Sequence, residues 1–265
     1  MSRHSLSLGV NAPDPHHYGP RVRPLRSAER DAEDWGRFLA GRGWDASTVT
    51  GQQATTGRLT SWVEATAARP DASHVVITWS GHGTQTSYRD RPPGAGEPDA
   101  SDELLVMHDR LFLDDELVAL MSLFGPGVRV VLVLDCCHSG GLRHILPTES
   151  DRLEQAGLLV RRVFEDGSSV VARNRQLYQQ AWSHLQAPTE PRAQVLGLAA
   201  CQENMLAYEG GGHGHFTLAL LDLLGPRFSG SFYDLVAAAA KSTPYQRPRP
   251  FWYAEGALLH ERVFL

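Results

Sequence analysis

Two apolar runs constrain the fold more than any other feature of this sequence. Residues 74–79 read HVVITW and residues 128–134 read VRVVLVL, and they break into the glycine-containing turns SGHG and DCCHSGG. Runs this uniformly apolar and β-branched are typical of strands buried on both faces of a parallel sheet. Because parallel strands need crossover connections, the sequence predicts an α/β fold, a mostly parallel central sheet with helices on both faces.

The rest of the chain continues this alternation. Ser27 is the expected N-cap of the first long helix, and the Pro-rich residues 244–252 are expected to extend along an edge of the sheet. No linker, repeat or low-complexity tract divides the 265 residues, so we expect a single domain over residues 1–265. The predicted strands are 5–10, 47–50, 74–79, 128–134 and 194–200, and the predicted helices are 28–39, 56–68, 175–185, 216–224 and 231–241.

Residues 142–192 differ from the rest of the chain. They form a long stretch of mixed charge with only a weak helical pattern towards its end. Connections this long in a compact domain are functional or disordered. We interpret this segment as an inserted activation or regulatory loop, and a tolerated surface insertion is the alternative.

Both apolar runs end in a residue that can do chemistry. His82 follows the first run and Cys137 follows the second, and the carboxyl ends of neighbouring parallel strands form one rim where ligands collect. An imidazole can take the proton of a thiol at neutral pH, which makes the thiol a nucleophile. Taken singly, a buried thiol or imidazole is more often structural, but the pair at two strand ends indicates a catalytic dyad.

Both turns that carry the reactive residues contain glycines. They allow sharp turns and let backbone N–H groups approach a substrate carbonyl, as an oxyanion hole requires. The expected donors are the N–H groups of Gly83 and Cys137.

Composition limits the classes of binding partner and the cellular compartments that we expect for this chain. The net charge of −5 argues against nucleic acid as a partner, since phosphate binding needs a concentrated basic surface. The adjacent Cys136 and Cys137 cannot form an ordinary structural bridge with each other, which favours a reducing compartment. The sequence has no apolar stretch long enough to cross a membrane and no signal-peptide pattern, so we expect a cytoplasmic location without membrane binding.

The motifs resemble those of the caspase and metacaspase cysteine peptidases. WSGHG at residues 79–83 is similar to the metacaspase histidine motif, usually YSGHG, and DCCHSGG at residues 135–141 is similar to its cysteine motif, usually DSCHSG. The caspase signature Q-A-C-[RQG]-G is absent, so the chain is closer to metacaspases than to true caspases. The resemblance also covers residues 8–11, 26–44, 101–117 and 214–224. It implies a caspase-like three-layer sandwich.

The resemblance also implies roles for single residues. Cys137 would be the nucleophile, and Cys136 stands where the family usually has Ser. Asp31, Ser80 and Asp135 would line the S1 pocket, which receives the residue before the scissile bond. Carboxylates there would bind Arg, and less readily Lys, by charge-assisted hydrogen bonds. The alternative is that Asp31 caps its own helix or forms a salt bridge on it, and that Asp135 stabilises its own turn.

Some members of this family require calcium. Asp102, Asp114 and Asp115 fall near the family's calcium-binding aspartates, but His144 stands where a further Asp is usual. Asp114 and Asp115 equally suit a helix start. We therefore expect no obligatory cofactor, with calcium as a candidate activator.

The sequence thus predicts a hydrolase, a caspase-like thiol protease cleaving after basic residues with His82 and Cys137. The resemblance implies protein or peptide substrates, a separate activator protein or small-molecule signal, and a part in stress or antiviral cell death. A catalytically silent scaffold or signal receptor is the alternative. Six arginines in the 142–192 segment are candidate self-processing sites: Arg143, Arg152, Arg161, Arg162, Arg173 and Arg175. His213 and His215 are expected to be solvated loop residues.

Overall fold

The strands and helices follow one another in the predicted alternation. A computed structural model describes residues 1–20, 22–87, 101–137, 149–184, 190–202, 205–225, 228–253 and 256–265. Its strands are β1 (Ser2–Gly9), β2 (Asp45–Thr50), β3 (Ala72–Ser80), β4 (Gly83–Ser87), β5 (Ser101–Val106), β6 (Leu111–Leu113), β7 (Arg129–Asp135), β8 (Val160–Arg161), β9 (Gln194–Ala199), β10 (Tyr208–Gly210), β11 (His213–Gly214) and β12 (Arg249–Tyr253). Its helices are α1 (Pro15–Tyr18), α2 (Ala28–Ala40), α3 (Thr56–Ala67), α4 (Asp114–Met121), α5 (Glu149–Gln155), α6 (Gly167–Arg173), α7 (Arg175–His184), α8 (His215–Leu223) and α9 (Phe232–Ser242).

A six-stranded sheet forms the centre of the molecule. Its strand order is β12-β9-β7-β3-β1-β2, and β1, β2, β3, β7 and β9 are parallel. β12 closes the edge beside β9 as an antiparallel strand, which confirms the expectation for the Pro-rich stretch. Two three-stranded sheets, β11-β10-β8 and β4-β5-β6, extend the domain beyond the carboxyl ends of the central strands.

Alternate side chains of the apolar strands enter two separate cores. Val75, Ile77 and Trp79 of β3 pack in one core with α3 and α4. Val76 of β3 and Val131 of β7 pack in the other core with α2, α8 and α9. The uniformly apolar runs are therefore explained by burial on both faces. The three-layer α/β sandwich predicted from the sequence is confirmed.

The N-cap of α2 and the 142–192 segment both differ from what the sequence predicted. Ser27 does occupy the N-cap position of α2, but its hydroxyl makes no capping hydrogen bond. Asn11 caps the helix instead, since its side-chain oxygen accepts hydrogen bonds from the N–H groups of Ala28 and Glu29. Within the 142–192 segment, the described residues form α5, β8, α6 and α7, which is more regular structure than its weak periodicity indicated.

Candidate active site

The central sheet brings the two predicted reactive residues to one rim. β3 and β7 are adjacent parallel strands, and their last residues, Ser80 and Asp135, are partners in the strand register. His82 follows β3 by two residues and Cys137 follows β7 by two residues. A Cβ atom on Gly83 would lie 1.8 Å from the carbonyl oxygen of Cys137, so only glycine permits this approach of the two turns.

His82 is buried with one ring nitrogen engaged. Its Nε2 donates a hydrogen bond to the carbonyl oxygen of Arg23 at 2.7 Å, so the proton of the neutral imidazole lies on Nε2. Nδ1 is buried and has no hydrogen-bond partner among the described residues, which leaves its lone pair available. Burial lowers the pKa of His82 from 6.5 to about 4, so the ring is neutral at pH 7.

The Cys137 thiol lies against the backbone of Ala207. Its Sγ accepts a hydrogen bond from the Ala207 N–H at 2.7 Å and donates to the Ala207 carbonyl oxygen at 3.3 Å. Burial raises the pKa of this thiol well above its ordinary range. In this conformation the thiol is protonated, because burial removes the solvent that would stabilise a thiolate.

The two predicted oxyanion donors converge on one oxygen atom. The N–H groups of Gly83 and Cys137 donate to the carbonyl oxygen of Arg162, at 3.0 Å and 3.1 Å. Two backbone donors on one carbonyl are what an oxyanion hole presents to a scissile peptide. Arg162 thus places its own peptide group at the position predicted for a substrate.

The side chain of Arg162 fills the pocket beside these donors. It is fully buried, at 0% exposure. Its Nη2 donates to Asp31 Oδ2 at 2.5 Å, and its Nη1 donates to Ser80 Oγ at 2.6 Å and lies 3.3 Å from Asp135 Oδ2. The structure therefore brings together the three residues assigned to the S1 pocket by resemblance, around an internal guanidinium.

A third carboxylate in this pocket was missed by sequence reasoning. Glu209 of β10 lies 3.5 Å from Arg162 Nη2 and is itself buried. Its oxygens accept hydrogen bonds from the N–H groups of Arg26 and Ser27 and from the Ser27 hydroxyl. β9 ends at the same rim as β3 and β7, so the rule that located His82 and Cys137 could also have directed attention to the chain after β9.

A glycine lies directly against two of these acids in the pocket wall. A Cβ atom on Gly214 would lie 2.3 Å from Asp135 Oδ2 and 2.5 Å from Arg162 Cζ, so any larger residue would fill the pocket. The Gly214 N–H also donates to Asp31. The neighbouring His213 does not extend freely into solvent as expected, because its Nδ1 lies 3.0 Å from Asp31 Oδ1.

The charged groups of the pocket and their burial change the pKa of Arg162 and of Asp31. Burial would lower the pKa of the Arg162 guanidinium, but Asp135, Asp31 and Glu209 outweigh burial and raise it above its ordinary value. Burial raises the pKa of Asp31, with Arg162 acting in the opposite direction. Three buried acidic side chains surround this position, so a cation is needed between them, and the Arg162 guanidinium supplies it.

The remaining predicted residues lie outside the group formed by His82, Cys137 and the Arg162 pocket. Cys136 is buried in the core with α3 and α4, and Cys201 is buried in the opposite core; none of the three cysteines is in a disulfide. Asp114 and Asp115 begin α4, where the Asp115 N–H donates to Asp114 Oδ1, and Asp102 lies in β5. Among the described residues, no group of three His, Cys, Asp or Glu side chains could hold a metal ion. Arg143 and His144 lie outside the described residues.

Neutral burial of His82 predicts a pH-dependent stability. The folded pKa of about 4 is below the ordinary 6.5, so the unfolded chain binds a proton between these pH values that the folded chain does not. The stabilisation is complete above pH 6.5 and is lost as pH falls towards 4. Between pH 7.5 and 5.0, the free energy of unfolding should fall about 2 kcal/mol further with His82 present than in the variant His82→Gln, from one titrating group.

Urea denaturation of Cys137→Ala and of Cys137→Ala with His82→Gln would measure this difference without interference from proteolysis. Equal pH dependence of the two proteins would contradict neutral burial of His82.

The fold and the rim site together define a caspase-type α/β domain. A model of the Caspase domain family matches residues 14–248, and the chain belongs to this family. Among curated proteins it is similar to Metacaspase-4 of Arabidopsis thaliana, with 39% identity over 71 residues. That match covers 26% of this chain and 16% of the plant protein.

Two solved structures share the fold of this chain. Protein GSU0716 from Geobacter sulfurreducens is similar over 100% of this chain and 98% of its own, with a TM-score of 0.82 and 28% identity. Caspase-1 from Spodoptera frugiperda is similar over 95% of this chain and 86% of its own, with a TM-score of 0.57 and 10% identity, which shows the shared fold. In the described part of this chain, no helix is both long and apolar enough to span a membrane.

Proposed function

We propose that this protein is a cysteine endopeptidase that cleaves peptide bonds after Arg, and less readily after Lys, with Cys137 and His82 as its dyad. The observation that carries the proposal is the placement of Arg162. Its guanidinium is enclosed by Asp31, Asp135 and Glu209, while its carbonyl oxygen accepts the N–H groups of Gly83 and Cys137. One residue thus occupies both the side-chain pocket and the oxyanion site, as the residue before a scissile bond would.

The dyad would act by general-base catalysis. His82 Nδ1, the ring nitrogen with an available lone pair, takes the proton of the Cys137 thiol as Sγ attacks the scissile carbonyl carbon. The Arg23 carbonyl holds the opposite ring nitrogen and stabilises the imidazolium that forms. For attack, Sγ leaves its hydrogen bonds to Ala207.

The oxyanion and leaving group complete the cycle. The N–H groups of Gly83 and Cys137 stabilise negative charge on the carbonyl oxygen. His82 then returns its proton to the leaving amine as the C–N bond breaks. Water hydrolyses the thioester and releases the new carboxylate, and the thiol is restored.

A set of coumarin peptides that differ only in the residue before the scissile bond tests the specificity. We expect hydrolysis in the order Arg, then Lys, with citrulline at least about 100-fold below Arg, because a neutral isostere leaves the buried carboxylates without a cation. Full progress curves measure kcat/KM for each peptide. Equal hydrolysis of the Arg and citrulline peptides, or a preference for Asp, would refute the basic specificity.

A catalytically silent scaffold remains the second candidate. The observation in its favour is the protonated Cys137 thiol, held by Ala207 rather than by the imidazole. An Arg-chloromethylketone distinguishes the two, since the peptidase is alkylated at Cys137 and the scaffold is not. Mass spectrometry of the labelled peptide gives the site.

The family resemblance and the three free thiols together support a cellular role. We propose a reducing compartment such as the cytoplasm, in keeping with three thiols, and a part in stress or antiviral cell death. A separate activator protein or small molecule would act on the protein there. Calcium is proposed as an activator only, and activity in calcium against activity in chelator measures its effect.

A further inference from the structure

A two-residue hairpin carries His213 to the acidic pocket. β10 and β11 pair antiparallel, with His213 opposite Gly210. The two residues that join the strands, Gly211 and Gly212, have φ values of +64° and +91°. A hairpin turn with two positive φ values strongly favours glycine, because a side chain is strained in that backbone conformation. The glycine run at 210–212 therefore sets the register that places His213 against Asp31.

The two carboxylate oxygens of Asp31 have different side-chain partners. Oδ2 accepts the Ser80 hydroxyl at 2.8 Å and the Arg162 guanidinium at 2.5 Å. Oδ1 lies 3.0 Å from His213 Nδ1, and the Gly214 N–H donates to both oxygens. Because an ionised carboxylate can only accept hydrogen bonds, His213 Nδ1 carries the proton and donates it to Oδ1. One oxygen thus faces the guanidinium, and the other is held by the imidazole.

His213 lies between this carboxylate and the solvent. The side chain of Asp31 is fully buried, whereas that of His213 is 14% exposed. Two further charged groups of α2 lie near the imidazole. Asp34 Oδ2 is 3.6 Å from Nδ1, and Arg30 Nη1 would lie 3.1 Å from a Cβ atom on the adjacent Gly212. The imidazole therefore supplies a donor to a buried acid on the side where water would otherwise reach it.

Hydrogen bonds to Asp31 act against the effect of its burial. Burial raises the pKa of this carboxyl, and Arg162 lowers it. Donors to the ionised form favour that form, so the contacts from His213 and Gly214 act in the same direction as the cation. A carboxyl group that took up a proton would face a guanidinium without charge, and the pocket would bind it less tightly.

We propose that His213 is a positioning residue for the specificity pocket, and that its hold on Asp31 Oδ1 keeps Oδ2 directed at the guanidinium of a bound Arg substrate. The proposal rests on the proposed function. His213 acts through Asp31 and takes no part in the proton transfers between Cys137 and His82. Its loss should therefore weaken the binding of Arg and leave the bond-breaking steps nearly unchanged.

Steady-state kinetics with an Arg-coumarin peptide measure this effect. His213→Ala should raise KM at least about tenfold and keep kcat within about threefold, because a lost hydrogen bond to a charged group weakens ground state and transition state alike. His213→Asn should restore KM to within about threefold of wild type, since its amide NH₂ can take the place of the Nδ1 donor. His213→Gln carries its amide one methylene further out and should not restore it.

His215→Asn is the matched control. His215 begins α8 two residues further along, and the described contacts of Asp31 do not include it. Its KM should stay within about twofold of wild type. A normal KM in His213→Ala, or a loss of kcat alone, would overturn the positioning role, as would equal KM values for the Asn and Gln variants. If His213→Ala does not fold, the comparison of Asn with Gln carries the same test.

Carbon-13 NMR of the Asp31 carboxyl group tests the contact without any turnover. In the Cys137→Ala background, with the signal assigned by Asp31→Asn, His213→Ala should raise the titration midpoint by at least about one pH unit. His213→Asn should give less than about half of that shift, because it keeps a donor. An unchanged midpoint in His213→Ala would contradict the proposal.

The two measurements separate this proposal from the proposed function. If the midpoint moves as expected but wild type fails to hydrolyse the Arg peptide, the proposed function fails and the hold of His213 on Asp31 stands. If wild type hydrolyses the Arg peptide while His213→Ala changes neither KM nor the midpoint, the positioning role alone fails.

Discussion

Cys137→Ala should reduce hydrolysis of an Arg-coumarin peptide by at least about 10⁴-fold, because a methyl group cannot form the thioester on which turnover depends. Cys136→Ala should retain activity within about threefold of wild type. The adjacent Cys136 is equally buried but packs in the core with α3 and α4. The two variants remove the same atoms from neighbouring residues. The difference between their activities therefore reports the catalytic role of the Cys137 thiol and not the loss of a buried side chain.

Steady-state kinetics with both purified variants measure this difference. Urea denaturation should show a stability loss of about 1–2 kcal/mol for each, the cost of a small buried truncation. Full activity in Cys137→Ala, or equal inactivation by the two substitutions, would contradict the assignment of the nucleophile.

Asp135→Asn should reduce kcat/KM for the Arg peptide by about 10²- to 10³-fold while leaving hydrolysis of the citrulline peptide nearly unchanged. Asparagine preserves the shape of the side chain and removes the charge, and losing one partner of a buried charge pair costs about 2–5 kcal/mol. Glu209→Gln should act in the same direction by a smaller factor, since Glu209 lies 3.5 Å from the guanidinium.

The exposed Asp222 of α8 provides a control, because Asp222→Asn changes net charge equally at a distance from the pocket. The ratio of Arg to citrulline hydrolysis is the decisive measurement. Collapse of that ratio in Asp135→Asn, with no change in Asp222→Asn, is the expected result. Asp135→Ala with undiminished preference for Arg would disprove the pocket.

The sheet and the placement of His82 and Cys137 at its rim could be predicted because their signals are local. The apolar runs ending at Ser80 and Asp135 identify buried strands, and the strand-end rule places His82 and Cys137 at one rim. The two residues come together because each follows the end of one of two adjacent parallel strands. Their chemistry then follows from residue type.

Arg162 and Glu209 could not be singled out in the same way. β8 has two residues, too few for a hydrophobic period, and its pairing with β10 joins parts of the chain that are distant in sequence. The six candidate arginines of the 142–192 segment could not be told apart by sequence, and only the tertiary structure shows that Arg162 is fully buried. Ser27 was also misread, because its hydroxyl donates to Glu209 and leaves the helix cap to Asn11.

The contact between Gly83 and Cys137 has a consequence for how such an enzyme could diversify. In the proposed mechanism the charge-stabilising donors there are main-chain groups, whereas the proposed specificity pocket consists of the side chains of Asp31, Asp135 and Glu209. Main-chain donors persist when side chains are exchanged. A few substitutions in the pocket could therefore change the preference between basic, neutral and acidic residues, while the main-chain donors and the catalytic residues stay the same.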